Sequence, residues 1–228
     1  MIVWIASFPR SGNTFLRIVL NRLYGVRTSV VYDFDGVADR LGPSLVGFEE
    51  RPGTFAAMRE SPDLQLVKTH RPCDELVEDG DKAICLVRDG RDCLVSWARQ
   101  RTEDGARCFA DELRDLIFLP AGRGAGQWGR NVLSWLQPAQ PGRIVLAYQE
   151  LISAPAAAAQ RVTDALELGL APATAAAVPT FAELHGVDDR FFRRGFTGTH
   201  GDELPDDLHQ AFWAQPGNAT AMTLLGWT

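Results

Sequence analysis

The stretch FPRSGNTFLR, residues 8–17, combines a cation, a glycine and several hydrogen-bond donors in one short turn. Its side-chain donors are Ser11, Asn13 and Thr14. Arg10 adds a positive charge, and Gly12 lets the backbone come close to an anion. An apolar run precedes the turn and a helical pattern follows it, so unpaired amides and the helix dipole add to the positive potential. The turn is therefore suited to hold a phosphate or a similar anion.

This turn is not the nucleotide-hydrolase loop, because it lacks the pattern G-x-x-x-x-G-K-[ST]. A second interpretation also fits the turn taken alone. Ser11 or Asn13 could serve only as the N-cap of the following helix, without any ligand. The turn by itself leaves both interpretations open.

The segment CLVRDGRDCLVSWARQ, residues 85–100, has the composition of a second anion site. Arg88 stands at the tip of an apolar strand, and an Asp-Gly pair turns the chain into a helix. Ser96 follows Arg88 by eight residues, two turns along that helix. Each residue alone is as well explained as a surface cation and a solvated serine. Two strand ends in one sheet that each carry groups able to bind an anion favour a binding site over these separate explanations.

Short apolar runs alternate with helical patterns along the chain. The strand-like runs are residues 2–7, 64–68, 82–87 and 143–148. The clearest helical patterns are residues 14–25, 91–101 and 127–136, and an alanine-rich tract, 154–170, predicts one or two further helices that stop near Gly169. Strands that are apolar on both faces indicate a parallel sheet covered on both sides. The alternation predicts a single α/β domain over residues 1–228, with helices on both faces of the sheet.

Three irregular regions interrupt this pattern, namely residues 33–63, 119–126 and 179–204. Long loops at one edge of an α/β sheet commonly carry the ligand site. We expect these regions to form the walls and lids of a pocket.

Composition narrows the function classes. The chain has 228 residues, 46% hydrophobic content and a net charge of −6, which argue for a soluble globular protein without a nucleic-acid or anionic-membrane partner. No apolar run approaches the ~20 residues of a membrane span, and no secretion signal is evident. The four cysteines, Cys73, Cys85, Cys93 and Cys108, have no zinc or C-x-x-C spacing. We expect reduced thiols and a cytoplasmic location.

The two anion segments resemble those of a known enzyme family. FPRSGNTFLR resembles [YF]-P-K-[SA]-G-[TN]-[TN]-W-L, the 5′-phosphosulfate loop of sulfotransferases that use 3′-phosphoadenosine 5′-phosphosulfate (PAPS). CLVRDGRDCLVSWARQ is similar to their 3′-phosphate segment, with the same spacing of eight. LVKTHRP, residues 66–72, resembles the V/I-K-T-H-x-P segment that carries the catalytic histidine.

Three later segments extend this resemblance in the family's order. QWGRNVLSWL, residues 127–136, resembles a W-x-x-x-V-x-x-W helix, and IVLAYQELISAP, residues 144–155, resembles a strand ending in Y-E-D/E. FFRRGFTGTHGDEL, residues 191–204, is similar to R-K-G-x-x-G-D-W. The resemblance implies a three-layer P-loop-type fold around a four- or five-stranded parallel sheet.

The resemblance also implies roles for individual residues. His70 would be the base, and Arg10 and Lys68 would stabilise charge during transfer, although Arg10 stands where the family has lysine. The 5′-phosphosulfate would lie on residues 10–14. The 3′-phosphate contacts would be Arg88, Ser96, Arg193, Arg194 and Gly195. Phe15 and Tyr148 would lie near the adenine, with core packing as the alternative for both, and Trp128 and Trp135 are expected in the core.

The function implied is transfer of a sulfuryl group from PAPS to a hydroxyl or amine of a small-molecule acceptor, with release of 3′-phosphoadenosine 5′-phosphate (PAP) and without a metal. A natural-product acceptor, such as an antibiotic precursor, is one hypothesis, and a carbohydrate or simple phenol is another. The alternative functions are a P-loop nucleotide kinase and a non-catalytic PAP- or PAPS-binding protein. The family includes monomers and dimers, so a homodimer is left open.

Overall fold

Five parallel strands form the centre of the computed structural model, which describes residues 1–120, 124–173 and 177–227. The strands are β1 (Ile2–Ser7), β2 (Thr28–Val30), β3 (Gln65–Thr69), β4 (Lys82–Val87) and β5 (Arg143–Ala147). Their spatial order is β2-β3-β1-β4-β5, so β1 lies in the middle of the sheet. The predicted α/β fold is confirmed in its five-stranded form.

Twelve α-helices and one 3₁₀ helix, Thr199–Asp202, connect and cover these strands within the described ranges. The α-helices are α1 (Asn13–Tyr24), α2 (Gly36–Leu41), α3 (Pro43–Val46), α4 (Phe55–Glu60), α5 (Gly90–Arg101), α6 (Phe109–Phe118), α7 (Trp128–Leu136), α8 (Tyr148–Ser153), α9 (Pro155–Ala165), α10 (Phe181–Val187), α11 (Asp206–Ala214) and α12 (Pro216–Leu224). None of the helices in the described part of the chain has both the length and the apolar character needed to cross a membrane.

Every residue of β1 is buried, and its side chains alternate between the two faces of the sheet. Val3 and Ile5 pack in a cluster with α1, α8 and α9. Trp4 packs on the opposite face, with Trp135 of α7 and Met58 of α4. Helices on both faces remove both sides of the strand from water, and this explains the uninterrupted apolar run at the start of the chain.

A further apolar cluster forms at the end of β4, where α5, α6, α7, α11 and α12 meet. Trp128 is 1% exposed and packs against Phe212 of α11, with ring centroids 5.7 Å apart. The predicted core positions of Trp128 and Trp135 are therefore confirmed. The cluster anchors α5, which carries part of the candidate site.

Some boundaries differ from the sequence prediction. The edge strand β2 was not predicted, because its three residues are too few for a clear apolar period. Tyr148 begins α8 instead of ending β5. The alanine-rich tract gives one helix from residue 155, α9, which stops at Ala165 and not near Gly169.

The irregular regions contain short helices with local capping. Thr54 accepts a hydrogen bond from the Ala57 amide and starts α4, and a capping box between Thr180 and Glu183 starts α10. Such short helices give no long amphipathic pattern in the sequence. Of the predicted loop 119–126, residues 121–123 lie outside the described residues.

A buried ion pair fixes the start of the first irregular region against α1. Arg17 and Asp35 are 0% and 1% exposed at the side chain, and Arg17 Nη1 lies 2.7 Å from Asp35 Oδ2. Arg17 Nε also donates to Thr28 Oγ1 at 2.6 Å. The pair therefore joins α1, β2 and the N-cap of α2, since Asp35 Oδ1 also accepts from the Val37 amide.

Asp35→Ala is expected to lower the free energy of unfolding by about 3–5 kcal/mol, because it leaves the charge of Arg17 buried without its partner. Chemical denaturation monitored by circular dichroism measures the change. The control is Glu150→Ala, which breaks the exposed pair between Glu150 and Arg161 and should cost only ~0–1 kcal/mol. Equal effects of the two variants would show that the Arg17–Asp35 pair adds nothing through its burial.

Candidate active site

The carboxyl ends of the three inner strands meet at one edge of the sheet. In the register of the sheet, Ser7 of β1 is beside Leu86 of β4, and Ala6 is beside Thr69 of β3. The residues that follow these strands are therefore brought together. They are the anion loop from residue 8, Arg88 and His70.

A cavity of about 500 Å³ opens at this edge. Nearly all predicted site residues line it: Arg10, Gly12, Asn13, Thr14, Phe15, Lys68, His70, Arg88, Ser96, Tyr148, Arg193, Arg194 and Gly195. Among the described residues that line the cavity, six are lysine or arginine and none is aspartate or glutamate. The wall is therefore strongly cationic, although the whole chain carries a net charge of −6.

The anion loop ends in a helix start that no side chain caps. Gly12 is the N-cap of α1, with φ of 99°, and no side chain bonds to the first amides. Neither Ser11 nor Asn13 is the N-cap, so the capped-turn interpretation does not describe the loop. A Cβ on Gly12 would lie 2.7 Å from a ring carbon of Tyr148, so only glycine fits. The first amides of α1 remain available as donors to a ligand.

The side chains of Ser11 and Asn13 are less exposed to the cavity than the sequence suggests. Ser11 is 1% exposed, does not line the cavity, and its Oγ lies 3.4 Å from Cys93 Sγ. Asn13 Nδ2 donates to Ile5 O at 3.1 Å and to Ser7 Oγ at 3.0 Å. These contacts hold the loop against β1.

Arg10 lies between the two predicted anion segments. Its φ is 68°, which is uncommon for a residue with a side chain. Nε donates to Ser96 Oγ at 3.1 Å, Nη2 donates to Phe191 O at 2.7 Å, and the guanidinium stacks on the Phe191 ring at 4.5 Å. Desolvation, together with the charge of Arg88, lowers the pKa of Arg10 to about 10. Two cations are thus held close together at one point of the wall.

Arg88 is 7% exposed and joins two loops through their backbones. Nη1 donates to Arg10 O at 3.1 Å, and Nη2 donates to Phe196 O at 3.2 Å. The guanidinium stacks on the Tyr148 ring at 4.3 Å. Its Nε is buried and has no hydrogen-bond partner among the described residues. A buried donor without a partner is costly, and an anion in the cavity would supply one.

The late segment brings two more cations to the cavity. Arg193 Nη1 pairs with Glu203 Oε1 at 2.7 Å, and Arg194 Nη1 pairs with Asp202 Oδ2 at 3.1 Å. Gly195 has φ of 67°, and a Cβ there would lie 2.3 Å from the Phe181 ring. Each arginine is therefore paired with a carboxylate that does not line the cavity. The largely buried carboxylate of Glu203 contacts both arginines.

His70 follows β3 and is held on three sides. Its backbone amide donates to Tyr32 Oη at 2.9 Å, and Asn131 Nδ2 donates to its backbone carbonyl at 2.8 Å. Its ring Nδ1 lies 2.9 Å from Ser7 O and 3.2 Å from Ser7 Oγ. Lys68, 3% exposed overall, has its ammonium 5.0 Å from the centre of the Tyr32 ring. Both residues line the cavity beside Arg10.

Aromatic rings line the cavity near these cations. Phe15 and Tyr148 are half-buried and line the wall, and Phe15 also packs against two core clusters. Burial raises the pKa of Tyr148 despite the nearby Arg88 and Arg10. Phe181 of α10, which we did not predict as a site residue, also lines the cavity. Phe15 therefore both packs against the core and lines the cavity.

Sequence reasoning missed other wall residues. Trp97, Gln100 and Arg101 follow Ser96 on α5, and Val37, Phe191 and Phe192 come from the irregular regions. Helical spacing from Ser96 could have pointed to Gln100, which lies one turn further along the same face. The apolar wall residues carry no such signal, because in the sequence they cannot be told apart from apolar residues of the core. In the described part of the chain, no group of three or more His, Cys, Asp or Glu side chains could hold a metal ion.

Comparisons with known proteins show the family of the chain. A profile of the sulfotransferase domain matches residues 2–180. A sequence search of curated proteins found no significant match.

Two solved structures have a similar fold. The chain aligns over 100% of its length with 89% of mouse sulfotransferase SULT7A1 complexed with PAP, at a TM-score of 0.65 and 15% identity. It aligns over 97% of its length with 80% of retinol dehydratase in complex with androsterone and the inactive cofactor PAP, at a TM-score of 0.61 and 18% identity.

The matched domain covers most of the chain, from the first strand through the anion loop, the His70 segment, the Arg88 segment and α9. It therefore contains most of the predicted site, and the late arginines lie just beyond it. The predicted family and enzyme class are confirmed. This chain belongs to the sulfotransferase family.

Proposed function

We propose that the cavity binds PAPS and that the protein transfers its sulfuryl group to a hydroxyl or amine of a small-molecule acceptor, releasing PAP. The observation that carries this proposal is the hydrogen bond between Arg10 Nε and Ser96 Oγ, at 3.1 Å. It joins the 5′-phosphosulfate loop to the 3′-phosphate segment within one cationic cavity. A ligand with two separate anionic groups matches that arrangement.

The wall fits such a donor. The uncapped start of α1 and Arg10 would hold the phosphosulfate, while Arg88 Nε, Ser96 and the late arginines would hold the 3′-phosphate. Phe15, Tyr148 and Phe181 offer aromatic surface for the adenine. PAPS supplies an activated sulfuryl group, and the protein residues supply position and charge.

His70 has the hydrogen bonding of a base. Ser7 O can only accept a hydrogen bond, so its contact with Nδ1 favours the tautomer that carries its proton there. The lone pair then lies on Nε2, on the other side of the ring. That nitrogen would take the proton of the acceptor hydroxyl as the new S–O bond forms. The contacts of Tyr32 and Asn131 hold the backbone of His70, and the contact of Nδ1 with Ser7 orients the ring.

Arg10 and Lys68 would stabilise the charge that develops during transfer. Arg10 lies on the loop that would hold the phosphosulfate, where negative charge grows on the leaving oxygen. Lys68 lies two residues before His70, where it would attract the sulfonate oxygens or the acceptor oxygen. Fixed cations act strongly in a cavity that excludes part of the water, because the charged groups need little reorganisation during the reaction.

The acceptor would enter beside α5 and the first irregular region. Trp97, Val37 and Phe191 give this end of the cavity an apolar surface. Such a wall suits an aromatic or aliphatic small molecule with one hydroxyl near His70. A natural product, including an antibiotic precursor, meets that description. The four free thiols support a cytoplasmic location, and the net charge argues against nucleic acid as a partner.

Two alternatives are less well supported. The family match gives no support to a P-loop nucleotide kinase, and the anion loop lacks the lysine of that class. A binding protein without catalysis would need neither His70 nor its oriented ring.

His70→Gln is expected to lower kcat by about 10²- to 10⁴-fold, because it removes the base, while the affinity for PAP stays the same. Transfer from PAPS to a phenolic acceptor measures the first quantity, and calorimetric titration with PAP measures the second. His185→Gln is the control, since His185 is a histidine of α10 that does not line the cavity. Unchanged transfer by His70→Gln would remove His70 as the base.

PAP should bind more tightly than AMP, which lacks the 3′-phosphate, and Arg88→Ala should weaken PAP binding by roughly 10- to 100-fold. The reason is the loss of a charged donor from the 3′-phosphate site. Titration with PAP, AMP and ATP with Mg²⁺ measures all three affinities. A preference for ATP with Mg²⁺ would contradict the sulfotransferase proposal and support the kinase.

Gly12→Ala is expected to weaken PAP binding, because its Cβ would push Tyr148 away from Arg88 and would add about 1–3 kcal/mol of backbone strain. Gly25→Ala is the matched control at the other end of α1. Gly25 also has positive φ, but a Cβ there meets nothing within 4 Å. Both variants should melt at lower temperature, and only Gly12→Ala should lose affinity. Equal PAP affinity in both variants would show that the loop at Gly12 does not bind the donor.

A further inference from the structure

Asp92 lies in the first turn of α5, four residues after Arg88, and its side chain is 0% exposed. Three consecutive residues of the late segment donate hydrogen bonds to it. The donors are the Gly198 amide to Oδ2 at 2.9 Å, Thr199 Oγ1 to Oδ1 at 3.1 Å, the His200 amide to Oδ1 at 2.9 Å and His200 Nδ1 to Oδ1 at 2.9 Å. One buried carboxylate thus holds a whole turn of the chain.

We infer that Asp92 is a positioning residue that sets the protein's selectivity for a donor with a 3′-phosphate, by holding residues 198–200 and with them the arginines just before. The inference rests on the proposed function, because it assigns a role within the same donor site. Neither the fold nor the family match assigns this role to Asp92.

The connection from Asp92 to the 3′-phosphate site is continuous. Asp92 Oδ2 lies 3.7 Å from Arg88 Nη2, and the same nitrogen donates to Phe196 O. Gly195 and Phe196 lie between the arginine pair and the three residues that Asp92 holds. If the 198–200 turn moves, the backbone that carries Arg193 and Arg194 moves with it, and Arg88 loses its contact with Phe196 O.

Because Asp92 is charged, a change in PAP affinity on its removal can distinguish two roles for this residue. Burial alone would raise its pKa, but the hydrogen bonds from His200 and the charge of Arg88 bring the pKa down to about 2, so Asp92 is an anion. An anion beside a dianionic phosphate site repels the ligand. If Asp92 acted through its charge alone, its removal would strengthen PAP binding. If it positions the turn, its removal weakens PAP binding.

The experiment compares PAP with AMP, which differ only in the 3′-phosphate, by calorimetric titration of the purified protein. We expect Asp92→Asn to reduce the ratio of the AMP to the PAP dissociation constant by roughly 10- to 100-fold, because its amide group cannot accept all four hydrogen bonds. AMP affinity should change little, since AMP does not contact the 3′-phosphate site. A general loss of folding would instead weaken both ligands.

Two further variants keep the test valid if Asp92→Asn does not fold. Thr199→Val and His200→Ala each remove one donor to Asp92 and leave the carboxylate in place. Each is expected to reduce the same ratio by a few-fold. The matched control is Asp89→Asn, one turn earlier, where the carboxylate accepts from the Arg91 amide at 2.9 Å and pairs with the Arg91 side chain. It should leave the ratio unchanged.

An unchanged or increased ratio in the Asp92, Thr199 and His200 variants would overturn the inference. A wild-type protein that does not prefer PAP over AMP would overturn the proposed function instead. The two failures are therefore distinguishable in one set of titrations.

Discussion

Arg88 joins three segments that are far apart in sequence, and the geometry of the site depends on this one guanidinium. It donates to the backbone of the anion loop at Arg10 and to the late segment at Phe196, and it stacks on Tyr148. Asp92 lies behind it and holds the late segment at the next turn. Because these contacts use backbone carbonyls and buried groups, they fix the positions of the loops and not only of their side chains.

The distribution of charge follows from the same arrangement. The chain is acidic overall, yet six of its described lysine and arginine side chains line the cavity, whereas Asp92, Asp202 and Glu203 do not line it. Carboxylates in this position offset part of the repulsion between neighbouring arginines without facing the ligand. A cavity lined by cations attracts anionic ligands at short range, although the negative net charge of the whole protein would repel them.

The sheet brings together motifs that are each recognisable within one short segment of the sequence. Strand–loop–helix units at the ends of β1 and β4 were recognisable from residue type and spacing, because a parallel strand needs an apolar run and a helix start needs open backbone. The apolar run before His70 likewise predicted a strand, but the role of His70 came only from the resemblance to the family. Residue type and spacing did not locate β2, which has three residues, or the early end of α9 at Ala165. There Glu167, with φ of 52°, takes the left-handed conformation that a glycine usually supplies after a helix.

The sequence by itself determined the α/β class, the strand ends that carry Arg10, His70 and Arg88, and the family, since these depend on local periodicity and on motifs within one segment. Only the tertiary structure decided that the Ser11 side chain is buried, that Phe181 and Trp97 line the cavity, and that Asp92 holds residues 198–200. The physical reason is that a contact across 100 or so residues leaves no period or spacing in the chain. Such contacts exist only once the strands align and the loops meet at their ends.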